Sequence, residues 1–496
     1  MSSPLRVVDL YGMFTLDRVL LAEAAYLLVV LAVCLVVIRD TRNTAKTLAY
    51  LLLVIFLPGV GIAVYFAFGI NHRKRKLYAR KLDGDEHLRD RLGPHLSQAT
   101  GHWLAADPQL AADAKALDQQ SGQGPPGITA DNDVRVLING EEKFPALMEA
   151  LEQARHHIHL EYYICEPGAV ADAIKAVLMR KARAGVQVRF IYDDFGSRAI
   201  RGRWLKELRA TGVEAFPFNR VRLLLLANRL NYRNHRKVVV VDGRCAFMGG
   251  INLSDRYMNR PGDQRLHWRD THVRVEGSGA LFLQYLFLCD WNFCSGQSIA
   301  PSAAYFPAPA HRSLGTGMLM AASGPDSPLP TILLTLVRAI TMARDEVLVT
   351  TPYFIPGDSI IDALRVASLS GVKVRLLVPG ISDSGFVDAA ARSYYGEVME
   401  AGVEVYRYTK GFIHAKTVVV DDRIAIIGTA NMDHRSFELN FEVNATFLGT
   451  AMATTLRRAF MHDIADAERI DATAWAQRPF YKVMPERLAR LVSPLL

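Results

Sequence analysis

The sequence predicts an α/β body made of two pseudo-symmetric domains, each a mixed sheet flanked by helices, behind an N-terminal helical transmembrane hairpin. Three observations carry this. Residues 47–70 form a 24-residue stretch without Asp, Glu, Lys or Arg. Beyond residue 130 the chain repeats itself with a period near 180–190 residues. In each copy, short β-branched runs alternate with helical patterns, which implies βαβ units and a sheet covered by helices.

The chain is 496 residues long and carries 58 Lys+Arg against 50 Asp+Glu, a net charge of +8. Half the residues are hydrophobic and 22% are charged, which excludes a disordered or low-complexity chain. The five cysteines (34, 165, 245, 289 and 294) form no CxxC pair and no His lies at zinc spacing. A disulfide scaffold and a structural metal site are therefore not expected. No cofactor is expected either.

The first 81 residues form the membrane end. A bilayer core needs about 20 apolar residues of helix, and both 17–38 and 47–70 are long enough. Pro58-Gly59-Val60-Gly61 lies mid-way along the second span and predicts a kink. A signal peptide fits poorly, because no small-residue cleavage site follows the first run. Arg73, Lys74, Arg75, Lys76, Arg80 and Lys81 follow the second span. That bias places the rest of the chain on the cytoplasmic side, with these charges against anionic headgroups. Residues 82–129 read as a bridge that ends in the linker Ser121-Gly122-Gln123-Gly124-Pro125-Pro126-Gly127.

The repeat divides the remainder into 130–310 and 311–496. Gly185-Val186-Gln187-Val188-Arg189 returns as Gly371-Val372-Lys373-Val374-Arg375, and Gly212-Val213-Glu214 as Gly402-Val403-Glu404. A period this long means duplicated domains with shared chemistry at their seam, not a solenoid.

The chemistry lies in a motif that occurs once per half. His235, Lys237, Asp242 and Asn252 recur with the same spacing as His414, Lys416, Asp421 and Asn431. With Val239 and Gly249, matched by Val418 and Gly428, the motif has six specified residues at fixed spacing, which arise by chance at on the order of one start position in 10⁸. Val238–Val241 is β-branched, so His and Lys two residues apart fall on one face of one strand. The Asp then marks a turn, and the returning strand brings the Asn back toward the His. An imidazole, an ammonium and a carboxamide on one patch suit a phosphodiester. Imidazole attacks phosphorus or moves a proton, while Lys and Asn meet the charge growing on the non-bridging oxygens. Two lysines do that work without a metal.

These paired motifs resemble the HKD signatures of the phospholipase D superfamily, and the resemblance covers residues 130–496. Within it the chain is similar to the bacterial cardiolipin synthases, through the hairpin with its basic flank, Asn234-His235-Arg236-Lys237 and Trp268-Arg269-Asp270-Thr271-His272. Tyr353-Phe354-Ile355-Pro356, Arg392-Ser393-Tyr394-Tyr395, residues 431–442 and Ser493-Pro494-Leu495-Leu496 add to it. Gly357 departs from the family, which more often has Asp there. The resemblance implies two phospholipase D-like domains and phosphatidyl transfer between two phosphatidylglycerol molecules, giving cardiolipin and glycerol. It implies one histidine as nucleophile and the other as acid and base, assigned here as His235 and His414 although the two motifs are nearly symmetric. It also implies Lys237, Lys416, Asn252 and Asn431 on the phosphate, and Asp242 and Asp421 as motif residues that position the strand. Asp270 and Glu442 resemble family positions that orient the histidines. The implied partners are phospholipids in the bacterial cytoplasmic (inner) membrane, and not nucleic acid.

The motifs alone also fit a phospholipase D hydrolase, a transferase with another acceptor such as phosphatidylethanolamine, a phosphatidylserine synthase or an inactive membrane scaffold. Two complete motifs argue against the scaffold. Arg220-Val221-Arg222 and Leu223 to Leu226 read either as an interfacial segment beside the site or as core.

Overall fold

The computed structural model describes residues 8–41, 44–66, 105, 107–118, 128–219, 232–262, 264–308, 315–327 and 329–493. The basic run 73–81, the linker 121–127, the segment 220–226 and residues 494–496 lie outside them.

Among the described residues the two halves share one sheet of fifteen strands. In the first half the order runs Ile128–Ile138, Thr271–Glu276, Cys245–Gly249, Val238–Val241, His157–Tyr162, Gln187–Asp193, Glu214–Phe218. The second half repeats it as Thr316–Ser323, Glu442–Leu448, Ile424–Gly428, Thr417–Val420, Glu346–Thr350, Lys373–Pro379, Glu404–Tyr408, with Ala467–Arg469 added at the edge. In each half the three strands beyond the motif strand pair in parallel, while the motif strands and the added edge strand Ala467–Arg469 pair antiparallel. This is the mixed sheet that the alternation of strand and helix predicts. The halves join where Ile128–Ile138 and Thr316–Ser323 pair antiparallel, with a register shift between Thr129 and Asn132.

Helices cover both faces. On one face each half keeps its own core: Asn139–Gln153 and Ala169–Arg183 in the first, Thr331–Thr341, Asp358–Leu369 and Gly385–Glu400 in the second. On the other face the core is common to both halves. There Phe282, Leu283 and Leu286 of helix Ser278–Ser295 pack with Met452, Leu456 and Phe460 of helix Thr450–Ala465 over valines from both motif strands. Ser278–Ser295 is buried almost all round, as a helix without a polar face must be.

Asp242 and Asp421 stand in the left-handed region (φ 53° and 52°) at the turn after each motif strand. Such a conformation is rare outside glycine and is tolerated best by Asp and Asn. The Asp242 carboxylate accepts the N–H groups of Arg155, His156 and His157 at 2.8 Å each. Asp421 does the same for Arg344, Asp345 and Glu346 at 2.9–3.2 Å. Each clips the start of the neighbouring strand, at the end of the motif strand away from the histidine.

The N-terminal unit differs from the expectation of two spans. Val8–Asp40 is a single helix of 33 residues, whose segment Leu20–Asp40 is long and apolar enough to cross a bilayer. Leu21, Leu27, Leu28 and Leu35 are more than half exposed on it, the distribution expected of a lipid-facing surface. The expected second span is not one helix. Thr44–Phe56 stops at Leu57, and Pro58–Val64 starts again with proline at its first turn. Proline cannot donate to the preceding turn, so the break falls there. The short helix folds back on the one before it. Tyr65 stacks edge-on against Tyr50 at 5.4 Å, and its hydroxyl donates to Val36 O at 3.4 Å. Gly61 allows this approach, because a Cβ there would lie 2.3 Å from Leu53 O. Thirteen helical residues reach about 20 Å, short of the ~30 Å hydrocarbon core.

Candidate active site

The sequence places each His and Lys on the motif strand. In the structure the ladder begins at Val238 and Thr417, one residue after each lysine. The residues before it are extended and pair with the other half. His235 N donates to Phe441 O at 3.0 Å, and His414 N to Arg269 O at 2.7 Å. Phe412–Ile413 runs parallel to Trp268–Arg269, and Asn234 bridges Phe441 in the same sense. Each motif therefore lies beside the segment that follows the other half's motif.

The next residue in each of those segments is the carboxylate singled out in the sequence. The pairs consequently form crosswise. His235 Nδ1 lies 2.9 Å from Glu442 Oε1, and His414 Nδ1 lies 2.7 Å from Asp270 Oδ2. A carboxylate only accepts, so each Nδ1 carries the proton and each Nε2 presents a lone pair. Both imidazoles are buried, at 8% and 6% exposure, and both carboxylates are fully buried. The second hydrogen bonds differ. Thr429 Oγ1 donates to Glu442 Oε2 at 2.5 Å, and Thr429 O also accepts from His235 Nδ1 at 3.1 Å. Asp270 instead accepts the N–H of Thr271 at 2.7 Å.

Lys237 Nζ donates to His235 O at 2.5 Å, and Lys416 Nζ to His414 O. Burial pulls the Lys237 ammonium down to about 7 against the attraction of Glu442, and Lys416 down to about 8 against that of Asp270. Burial likewise lowers His235, opposed chiefly by Glu442. It takes His414 to about 3, with Lys416 adding to the fall and Asp270 resisting it. Each imidazole also feels the lysine of the other half, so both motifs share one electrostatic site. Glu442 stays below its ordinary value, because His235, Lys237 and Thr429 outweigh its burial.

The asparagines serve the frame as well as the site. Asn252 accepts Ile164 N at 3.1 Å and donates to Tyr257 Oη at 2.9 Å. Asn431 Nδ2 donates to Asp433 at 3.0 Å, while its side-chain oxygen is buried without a hydrogen-bond partner among the described residues. Each amide keeps a second N–H beyond these bonds. Asp242 and Asp421 are committed to backbone N–H groups and stand apart from the reacting groups.

Several supporting residues escaped the spacing argument. Arg236 donates to Asp290, and its Nε reaches Glu442 O at 3.3 Å. Asn234 donates to Glu161, whose carboxyl burial and Asp290 push well up. Arg269, beside Asp270, is held by Asp463 at 2.7 Å. Around His414 lie the rings of Trp268, Phe412, Tyr257 and Tyr353 at 5.4–6.5 Å, whereas His235 meets Tyr163 at 4.8 Å. Asn234, Arg236 and Arg269 stand inside the sequence matches, but only the fold shows what they hold. Among the described residues no group of three or more His, Cys, Asp or Glu could hold a metal ion.

The model of the cardiolipin synthase phospholipase D-like domain matches residues 147–273 and again 336–464. A cardiolipin synthase of Geobacillus kaustophilus is 41% identical over 94% of this chain and 92% of its own length. The chain belongs to the cardiolipin synthase family. Other members are as near: a cardiolipin synthase of Alkalihalophilus pseudofirmus is 38% identical (96% of this chain, 93% of that one), and the major cardiolipin synthase of Bacillus subtilis is 37% identical (96% and 99%). Residues 27–69 match the phospholipase D-nuclease N-terminal model. Among solved structures, a phosphatidylserine synthase of Haemophilus influenzae superposes with a TM-score of 0.58 at 13% identity, over 78% of this chain and all of that one. That likeness bears on the fold alone.

Two outcomes follow from the geometry. Glu442→Gln keeps the shape but removes the charge that sets the His235 tautomer, so kcat should fall by at least ~10²-fold. Turnover near that of the unaltered chain would remove Glu442 from this role. The lysines are cationic below their lowered values and lose that charge as pH rises through about 7 to 8. Inhibition by tungstate, an anion of constant charge in this range, should therefore weaken at least about tenfold between pH 7 and pH 9. A flat profile would show that the ammonium groups do not hold the anion.

Proposed function

We propose that this protein makes cardiolipin by phosphatidyl transfer between two phosphatidylglycerol molecules. The observation that carries the reading is the pair of crosswise imidazole–carboxylate couples, with a lysine at each, around one buried site. Two neutral imidazoles with free Nε2 atoms provide one nucleophile and one proton carrier. The two ammonium groups, with the second N–H groups of Asn252 and Asn431, hold the phosphodiester and meet the charge that grows on it.

His235 is the nucleophile in this scheme. Its Nε2 bonds to phosphorus as the bond to the glycerol oxygen breaks, and that oxygen takes a proton from His414. The histidine that attacks becomes cationic, and Glu442, held ionised by Lys237 and Thr429, stabilises that cation. His414 is neutral in the free protein. The anionic substrate offsets the lysines beside it and favours its protonated form. In the second half-reaction His414 takes the proton of the acceptor's hydroxyl, and that oxygen displaces His235 from phosphorus. Glycerol and cardiolipin are the products. The four aromatic rings around His414 favour a lipid alcohol over water as acceptor.

The body works at the cytoplasmic face of a bacterial inner membrane. Val8–Asp40 crosses the bilayer once, and residues 44–66 enter it and return to the side they came from. That arrangement puts Arg39, Arg42 and Lys46 on the same side as the six basic residues at 73–81, with Arg6 and Arg18 opposite.

A product assay in mixed micelles with headgroup- and acyl-labelled phosphatidylglycerol should give cardiolipin plus glycerol, lost in both His235→Ala and His414→Ala. Phosphatidic acid in place of cardiolipin would make the protein a hydrolase. For topology, Asn43→Cys and Asn71→Cys should react with an impermeant thiol reagent from the same face of sealed vesicles, and Ser3→Cys from the other. Labelling of positions 43 and 71 from opposite faces would restore two full spans.

A further inference from the structure

Arg233 lies two residues before His235, in the same extended segment. The residue is 6% exposed, and its Nη1 is buried without a hydrogen-bond partner among the described residues. The nearest carboxylate, Asp193, is 3.9 Å from Nη1, beyond hydrogen-bond reach. Asp193 is itself occupied by the N–H groups of Phe195, Gly196 and Asn234, at 2.8–3.1 Å. A buried donor left unpaired costs stability and is uncommon in native proteins. Arg435 adds a second positive charge close enough to lower the Arg233 pKa further, after burial has done most of it.

The position borders the reacting groups. The Arg233 guanidinium packs on the Phe195 ring at 4.5 Å and interacts with Tyr163. Tyr163 in turn meets His235 edge-on at 4.8 Å and has Lys237 Nζ over its ring at 5.2 Å. The pseudo-symmetric residue, two before His414, is Phe412. It packs on Trp268 at 4.8 Å and beside His414 at 5.6 Å. One flank of the site is cationic and the other aromatic. A phosphodiester bound between the two lysines does not need this extra charge on one side only.

We propose that Arg233 binds the phosphodiester of the acceptor lipid while that lipid's glycerol hydroxyl attacks the phosphatidyl-histidine. The inference rests on the transfer reaction proposed above. In that reaction the second substrate carries its own phosphate, a three-carbon glycerol away from the attacking oxygen. Residues two apart in an extended strand are separated by roughly 6.6 Å, a span of the same order. A guanidinium also suits a phosphate better than an ammonium, because it presents two donors in one plane. Water and simple alcohols bring no phosphate and make no use of it.

The test is a competition between acceptors. The full-length protein in mixed micelles receives labelled phosphatidylglycerol together with butanol, and cardiolipin and phosphatidylbutanol are measured in the same sample. Both arise from one phosphatidyl-enzyme, so their ratio is insensitive to loss of folded protein. Arg233→Gln should lower the cardiolipin-to-phosphatidylbutanol ratio at least about tenfold, and Arg233→Lys, which keeps the charge, should lower it less. An unchanged ratio in Arg233→Gln, whether both products persist or fall together, would overturn the proposal. Phosphatidylbutanol without cardiolipin from the unaltered chain would instead remove the reading beneath it, a result distinguishable before any variant is made.

Discussion

The structure turns on the hydrogen bond between each imidazole and the carboxylate of the opposite half. Among the described residues, His235 has no partner for Nδ1 in its own repeat, and neither has His414. The carboxylates reach across because Trp268–Arg269 and Phe441 lie against the extended segments that enter the motifs. Those segments keep their places because both motif strands belong to one sheet, roofed on one face by a common apolar core. Moving either half by even an ångström would separate both pairs, since a hydrogen bond at 2.7–2.9 Å tolerates little displacement. The continuous sheet is thus the means by which two distant stretches of sequence share protons.

Burial does the remaining work. Two lysines and two histidines within one dry site would be unfavourable as four cations. The protein answers by lowering all four pKa values and ionising Glu442. The free protein therefore holds neutral imidazoles and ammonium groups that readily give up their protons. In the proposed reaction an arriving phosphodiester supplies the missing negative charge, and its binding changes the protonation of the groups that react with it. Substrate recognition and activation of the histidines are in that sense one electrostatic event.

Much of this was legible in the sequence. The recurring His, Lys, Asp and Asn announce a duplicated site, and β-branched Val238–Val241 fixes the strand. Glycines before Val186 and Val372 mark where each helix ends. The partner of each imidazole was not legible, because Glu442 is 28 residues beyond His414 and Asp270 is 35 beyond His235. Nothing local says that each serves the other motif. Thr429 was hidden for the same reason: its role depends on a contact across the seam, and the corresponding residue of the first half is Gly250. Asp242 and Asp421 show that recurrence alone does not mark a reacting group. They recur as faithfully as the histidines, yet their carboxylates cap strand starts. The uncharged run 47–70 carried the composition of a span, but Pro58 and Gly61 turn it back on itself, which hydropathy averages cannot register.

The antiparallel junction of Ile128–Ile138 with Thr316–Ser323 carries an evolutionary consequence. A chain containing one repeat could build the same seam only by pairing with a copy of itself, and every substitution would then appear on both sides at once. Tethering the repeats in tandem removes that restriction. Arginine can stand where the other repeat has phenylalanine, and threonine can stand opposite glycine. Covalent fusion freed the two sides to specialise without giving up the symmetry that first brought two imidazoles together.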